Sequence, residues 1–251
     1  MSRWRTVLFF AALLIVWALV ARQRIWDPTL VPSPAQVGAT LLDHIKDRSL
    51  LDAMAVSLRR VILGYAISLG IGVPLGILLA RVKLLSETVG ALVSGIQSLP
   101  SICWLPLALL WFGLNDKAIL FVVVIGSFVS ITVQIQDGVR NLPPTYVRAA
   151  RTMGTGALAL YTQVLLPASL PSILSGAKLG WAYAWRALMA GELLFVSMGL
   201  GHMLMMGREL SDMSQVLSVM IVIVALGIFT DAVVFGALEK AVRDRWGLNT
   251  A

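Results

Sequence analysis

RAARTMGTGALALYTQVLLPASLP, residues 148–171, interrupts an otherwise apolar chain with two arginines, two glycines and two prolines, yet keeps a helical pattern. What flanks this stretch decides what it is. The 251 residues are 58% apolar and 13% charged, with a mean hydropathy of +0.86. A soluble protein of this length carries about 25% charged residues, so the composition is that of a membrane protein. Roughly 20 apolar residues cross the ~30 Å hydrocarbon layer as a helix, which leaves room for about six spans and their connections.

Apolar runs at about 7–21, 58–80, 88–112, 118–136, 171–196 and 215–238 supply those six spans and put both termini on one side. The first is read as a retained anchor, because Arg22, Gln23, Arg24 and Trp26 follow it where a cleavage site would need small residues. With the termini in the cytoplasm, the inner segments hold Arg3, Arg5, Arg81, Lys83, Arg140, Arg148, Arg151, Lys240, Arg243 and Arg245. The outer basic residues are diluted by acids and mostly fall in one long loop, which weighs less in the positive-inside rule. The net charge of +7 is therefore a topology signal, not a nucleic-acid footprint. In that long loop, Ser33 and Pro34 have the chemistry of a helix start, and Val37, Leu41, Leu42 and Ile45 recur at helical spacing. A short amphipathic helix is expected there.

Signals for chemistry are missing. The chain has one cysteine, Cys103, no phosphate-binding glycine loop and no metalloprotease motif, and its two histidines, His44 and His202, fall in predicted outer segments. The sequence predicts a chain without a cofactor or metal of its own and without hydrolytic activity.

The opening stretch lies between the fourth and fifth spans, in an inner segment of about 140–170. Its pattern is Arg148-Ala149-Ala150, three residues, Gly154, nine residues, then Val164-Leu165-Leu166-Pro167. This resembles the cytoplasmic loop of ABC importer permeases, Glu-Ala-Ala-x3-Gly-x9-Ile-x-Leu-Pro, with the spacing intact and Arg148 in place of the acid. QSLPSICWLPLALLWFG (97–113), VPSP (31–34), SLRRVILGY (57–65), AWRALMAGELL (184–194), GLGHMLMMGREL (199–210) and RWGL (245–248) are similar to the subfamily importing nitrate, taurine and aliphatic sulfonates.

The resemblance implies an all-α integral membrane protein with six transmembrane helices in the type I ABC importer permease fold, as one domain over 1–251. It implies a coupling helix that docks on the ATPase through Arg148, Ala149, Ala150, Gly154, Leu166 and Pro167. Alanines allow close approach, Gly154 turns the helix, and Pro167 stops whatever helix precedes it. The implied partners are two ABC ATPase subunits, which bind the ATP, a periplasmic or lipid-anchored solute-binding protein, and a second copy of the chain. The implied location is the bacterial inner membrane.

Charges within the spans cost several kcal/mol and are rarely idle. Lys178 and Asp231 sit at similar depth in the fifth and sixth spans and are a candidate ion pair. Arg186 is near mid-span, and Glu192, six residues on, lies ~120° round the helix, which makes direct pairing poor. Two readings of Arg186 stay open: it faces a water-filled path and attracts an anion, or it packs on Trp185, on Trp181 or against an acid that the sequence does not single out. Gln97, Pro100, Trp185, Arg186 and Glu192 are the candidate path residues. Gly64, Gly70, Gly72, Pro74 and Gly76 make the second span helix-breaking and closely packable, as a gate rocking between two states requires, or else serve ordinary small-residue helix packing; Pro100 and Pro106 are expected to kink the third. An ion-coupled secondary carrier is the alternative, but it gives no reason for the 148–167 spacing. A membrane-embedded enzyme lacks usable histidines.

Overall fold

A computed structural model describes residues 3–23, 27, 29–156, 159–194 and 197–246. Arg24 and Trp26, the end of the fifth predicted span at 195–196, and Gly247 and Leu248 of the RWGL match lie outside the described residues. Every regular element described is helical: α1 Arg3–Arg22, α2 Pro34–Lys46, α3 Ser49–Arg81, α4 Lys83–Gln97, α5 Leu105–Phe112, α6 Asp116–Arg140, α7 Pro144–Thr152, α8 Leu166–Leu194, α9 Leu200–Glu209, α10 Met213–Phe229 and α11 Gly236–Trp246. A 3₁₀ turn (Ser101–Trp104) leads into α5, and π turns lead into α8 (Leu160–Leu165) and α11 (Thr230–Phe235).

Among the described residues, four helices are long and apolar enough to cross a membrane, Trp4–Arg22, Ser49–Arg81, Asp116–Arg140 and Met213–Asp244; a fifth crossing results if α4 and the Ser101–Phe112 segment form one bent span. α8 has 29 residues, about 43 Å at 1.5 Å per residue, which is also long enough. It carries Lys178, Arg186 and Glu192.

The chain divides into two compact units, Met1–Leu58 with Glu192–Leu226 and Arg59–Gly191 with Gly227–Ala251. In the first, α1 turns its apolar side chains outward, as a lipid-facing helix must, and Trp17 Nε1 donates to Pro32 O at 3.1 Å beside the start of α2. α2 begins with a full capping box: Ser33 Oγ accepts from Gln36 N, and the Gln36 side chain accepts from Ser33 N at 2.8 Å. At the α2–α3 junction the side chain and backbone of Ser49 both donate to Asp47, holding that carboxyl below the usual carboxylate range.

The second unit is organised on α6, where Ile119, Val122, Val123, Ile131 and Ile135 are completely buried. Lipid tails are as apolar as these side chains, so burial alone gives little drive; close packing and hydrogen bonds hold such helices together. α3 presents a ridge of small residues four apart, Gly64, Ser68, Gly72 and Gly76, to α6. A Cβ on Gly72 would lie 2.9 Å from Ile131, and one on Gly76 2.7 Å from Thr132 O. Ser127 Oγ donates to Ser68 Oγ at 2.6 Å along the same seam. The close packing expected of the second span is realised, and the helix-breaking is not. α3 runs unbroken through Pro74 from Ser49, well before the expected start at 58.

The third span differs from expectation. Its two segments meet at 98°, a break and not a kink, and the break falls at Ser98–Pro100. Pro100 has extended ψ (137°) and cannot donate to the turn before it. Pro106 causes no kink, because it sits in the first turn of α5, where a missing N–H costs nothing. Pro167 likewise stops no helix: it is the second residue of α8, directly after the π turn at Leu160–Leu165, whose wider spacing accommodates the lost donor.

Candidate functional site

Two regions of the second unit bring the sequence-derived candidates together. The first is the 148–167 segment. α7 carries Arg148 and Ala149 on its exposed face and Ala150 on its buried one, where Ala150 packs with Leu160 and Leu165 in a small cluster joined by Leu142, Val147 and Val164. The helix ends at Met153, and Gly154 takes φ = +78°, a left-handed conformation that L side chains resist. Thr155 N then returns to Ala150 O at 3.1 Å. Leu166 is exposed and Pro167 half-buried at the start of α8. The result is an elbow with an apolar tip, since Met153 is 82% and Tyr146 50% exposed. Neither residue was singled out from sequence; the position just before a turning glycine was the available signal for Met153.

The second region is a cavity of about 220 Å³ whose lining includes Gln97, Pro100, Ser101, Ser130, Tyr183 and Arg186. The break at Pro100 shapes it: α4 ends there, the Ser101–Trp104 turn packs against α6, and the space left between them is closed by α8. Arg186 lies over the Tyr183 ring, 5.2 Å from its centroid, so the aromatic partner is three residues back on the same face and is neither Trp181 nor Trp185. Arg186 as a whole is exposed. No carboxylate lines the cavity among the described residues. Trp104, also in its wall, has a buried indole N–H with no hydrogen-bond partner among the described residues, a cost of about 1–3 kcal/mol.

Trp185 and Glu192 stand elsewhere. Trp185 stacks on Trp181 (6.5 Å, 19°), which in turn meets Tyr65 edge-on at 5.2 Å, while Tyr65 OH donates to Ala177 O at 2.7 Å. These contacts tie α3 to α8. Glu192, in the first unit, is completely buried. Its carboxylate accepts from Ser57 Oγ at 2.9 and 2.7 Å and from Gly201 N at 3.0 Å, and Ser57 Oγ accepts from Leu200 N at 2.9 Å. A carboxylate is thereby fixed at the start of α9, where the helix dipole favours negative charge.

Lys178 Nζ lies 3.0 Å from Asp231 Oδ1 and also 3.1 Å from Glu239 Oε1. The second acid was not foreseen, because the π turn at Thr230–Phe235 shifts the register that places Glu239 on the same face. Also unforeseen was the ion pair between Arg60, itself buried, and Asp116 at 2.6 Å, which joins α3 to the first turn of α6.

Comparison with known proteins agrees in outline. Residues 72–244 match the family described as the binding-protein-dependent transport system inner membrane component. A Methanocaldococcus jannaschii protein named as an ABC transporter permease is 32% identical, over 88% of this chain and 84% of its own length. The taurine transport system permease protein of Escherichia coli K12 is 28% identical over 93% of this chain and 84% of its own length. The nitrate import permease protein of Leptolyngbya laminosa is 28% identical over 95% and 88%. Among solved structures, a chain of the MetNI methionine ABC transporter superposes with a TM-score of 0.69 at 20% identity, covering 77% of this chain and 96% of its own. A chain of an amino acid ABC transporter gives 0.61 at 19%, covering 82% and 98%.

Proposed function

Because this chain belongs to the inner membrane components of binding-protein-dependent transport systems, the permease subunits of ABC importers, we propose that it forms the path for a small anionic solute such as a sulfonate, taurine or nitrate. The observation that carries the anion is the cavity at the break of the third span, where Arg186 is the cationic group and no described carboxylate opposes it. A positive charge in a low-dielectric wall raises the local concentration of an anion and lowers the cost of its dehydration. Gln97, Ser101 and Ser130 add neutral hydrogen-bonding groups beside it.

Transport then follows the division of labour of such importers. A solute-binding protein delivers the anion from outside to a dimer of this chain, and two separate ATPase subunits bind and hydrolyse the ATP. The elbow at residues 144–167 is the mechanical link: its apolar tip at Met153 enters the ATPase, and the cluster of Ala150, Leu160 and Leu165 passes the movement to α8. Nucleotide shifts the permease between inward- and outward-facing states only through its different affinity for the two. With this orientation both termini and the elbow lie in the cytoplasm.

The test is uptake into vesicles holding permease, ATPase and binding protein. Wild-type uptake of labelled taurine, sulfonate or nitrate requires internal ATP. Arg186→Ala keeps the ATPase bound and lowers anion uptake by about tenfold or more, the worth of one desolvated charge contact, and Arg186→Lys recovers part of it. Unchanged anion uptake in Arg186→Ala would remove the cavity from the path.

A further inference from the structure

A second, larger cavity, about 390 Å³, opens where α3 and α6 end against the elbow. Its lining holds three arginines from three elements, Arg81 at the end of α3, Arg140 at the end of α6 and Arg151 on α7, and no described carboxylate. The other wall is apolar, with Leu142, Val147 and Leu165 among it. α3 and α6 are both membrane-crossing helices by length and composition, so their terminal arginines mark the boundary between hydrocarbon and water. A pocket at that depth with one cationic and one apolar wall is complementary to a molecule carrying a phosphate on an apolar body.

We infer that this cavity binds the phosphate headgroup of an anionic membrane lipid, with the arginines on the phosphate and the upper acyl and glycerol carbons on Val147, Leu142 and Leu165. Arg140 already reaches Ser86 Oγ at 3.3 Å, which orients its guanidinium at the rim, and Arg151 is exposed on the elbow. The bound lipid braces α7 against the ends of α3 and α6. It therefore sets the stiffness of the elbow, and charge-free bilayers leave the elbow looser than anionic ones. Arg148 is the internal control, since it is exposed on the same helix but does not line the cavity.

The experiment uses the full-length permease purified in neutral detergent and reads two quantities: the midpoint of thermal unfolding, and lipid retention by native mass spectrometry. The probes are phosphatidylglycerol, phosphatidylcholine and inorganic phosphate. Phosphatidylglycerol is expected to raise the midpoint by several degrees and to stay bound, and phosphatidylcholine and phosphate to do neither. In Arg140→Gln/Arg151→Gln, retention of phosphatidylglycerol falls about thirtyfold while the midpoint in phosphatidylcholine is unchanged; Arg148→Gln retains the lipid as wild type does. Equal effects of the two lipids, an equal effect of inorganic phosphate, or an equal loss in Arg148→Gln would each overturn the proposal. If the double variant is unfolded already in phosphatidylcholine, Arg151→Gln alone decides, and undiminished retention in it also overturns the lipid site. None of these readouts depends on which solute is transported.

Discussion

Glu192 shows how a carboxyl group can be held in the interior of a membrane protein. Its carboxylate is met by the Ser57 hydroxyl and the Gly201 N–H, and the geometry works because residues 199 and 201 lack side chains. A Cβ on Gly201 would stand 2.6 Å from the Glu192 Cβ and 3.1 Å from backbone atoms that cannot move aside. Gly201→Ala is therefore expected to destabilise the protein by several kcal/mol and reduce the yield of monodisperse permease in detergent, as overpacking against backbone does. Gly227→Ala, whose Cβ meets nothing within 4 Å, should be neutral or stabilising by up to about 1 kcal/mol. Glu192→Ala leaves donors on Ser57 and Gly201 without their acceptor and should cost about 2–3 kcal/mol, with Glu192→Gln recovering part. Thermal midpoints of the four variants check the series, and a Gly201→Ala protein as stable as wild type would show that the knot is looser than its distances.

The elbow turns at Gly154. No atom of the described residues lies within 4 Å of a Cβ built on Gly154, so a substitution there acts through the backbone. At φ = +78°, a non-glycine residue costs about 1–2 kcal/mol, and more when β-branched. Gly154→Val should leave the permease inserted while abolishing both ATPase copurification and uptake, and Gly154→Asn, which tolerates left-handed backbone, should keep much of both. Normal ATPase binding and uptake in Gly154→Val would return the segment to a surface helix without a partner. The α8–α11 contact makes a second prediction at this scale. Lys178 has two carboxylates within 3.1 Å, so Asp231→Asn should cost under about 1 kcal/mol, in the range of partly exposed pairs. Lys178→Met leaves two acids facing each other and should cost more. Equal stabilities for the two variants would rule out the shared arrangement.

For the whole molecule the open quantity is orientation, which the positive-inside rule assigns and a cysteine scan reads directly. In a Cys103→Ser background, needed because Cys103 is exposed, Arg151→Cys should react with an impermeant reagent only after cells are opened, and His202→Cys in intact cells. External labelling at 151 would invert the topology. The composition, the six apolar runs and the spacing from Arg148 to Pro167 determined the class, the all-helical fold and the family, because a hydrocarbon layer admits only helices or closed barrels and writes its thickness into run length. Gly154 was legible for a similar reason: its left-handed backbone is a local property. The depth of Lys178 and Asp231 could be counted along the chain, but the sharing of Lys178 with Glu239 could not, since one π turn changes the register. What only the tertiary structure decided is which polar groups face which space. Gln97, Pro100 and Arg186 share one cavity because the chain turns through 98° at Pro100, and Glu192, only six residues from Arg186, closes a knot with Ser57 instead. In a membrane protein both faces of a helix are apolar, so periodicity cannot tell lipid from core from lumen, and that distinction appears only when the helices are packed against one another.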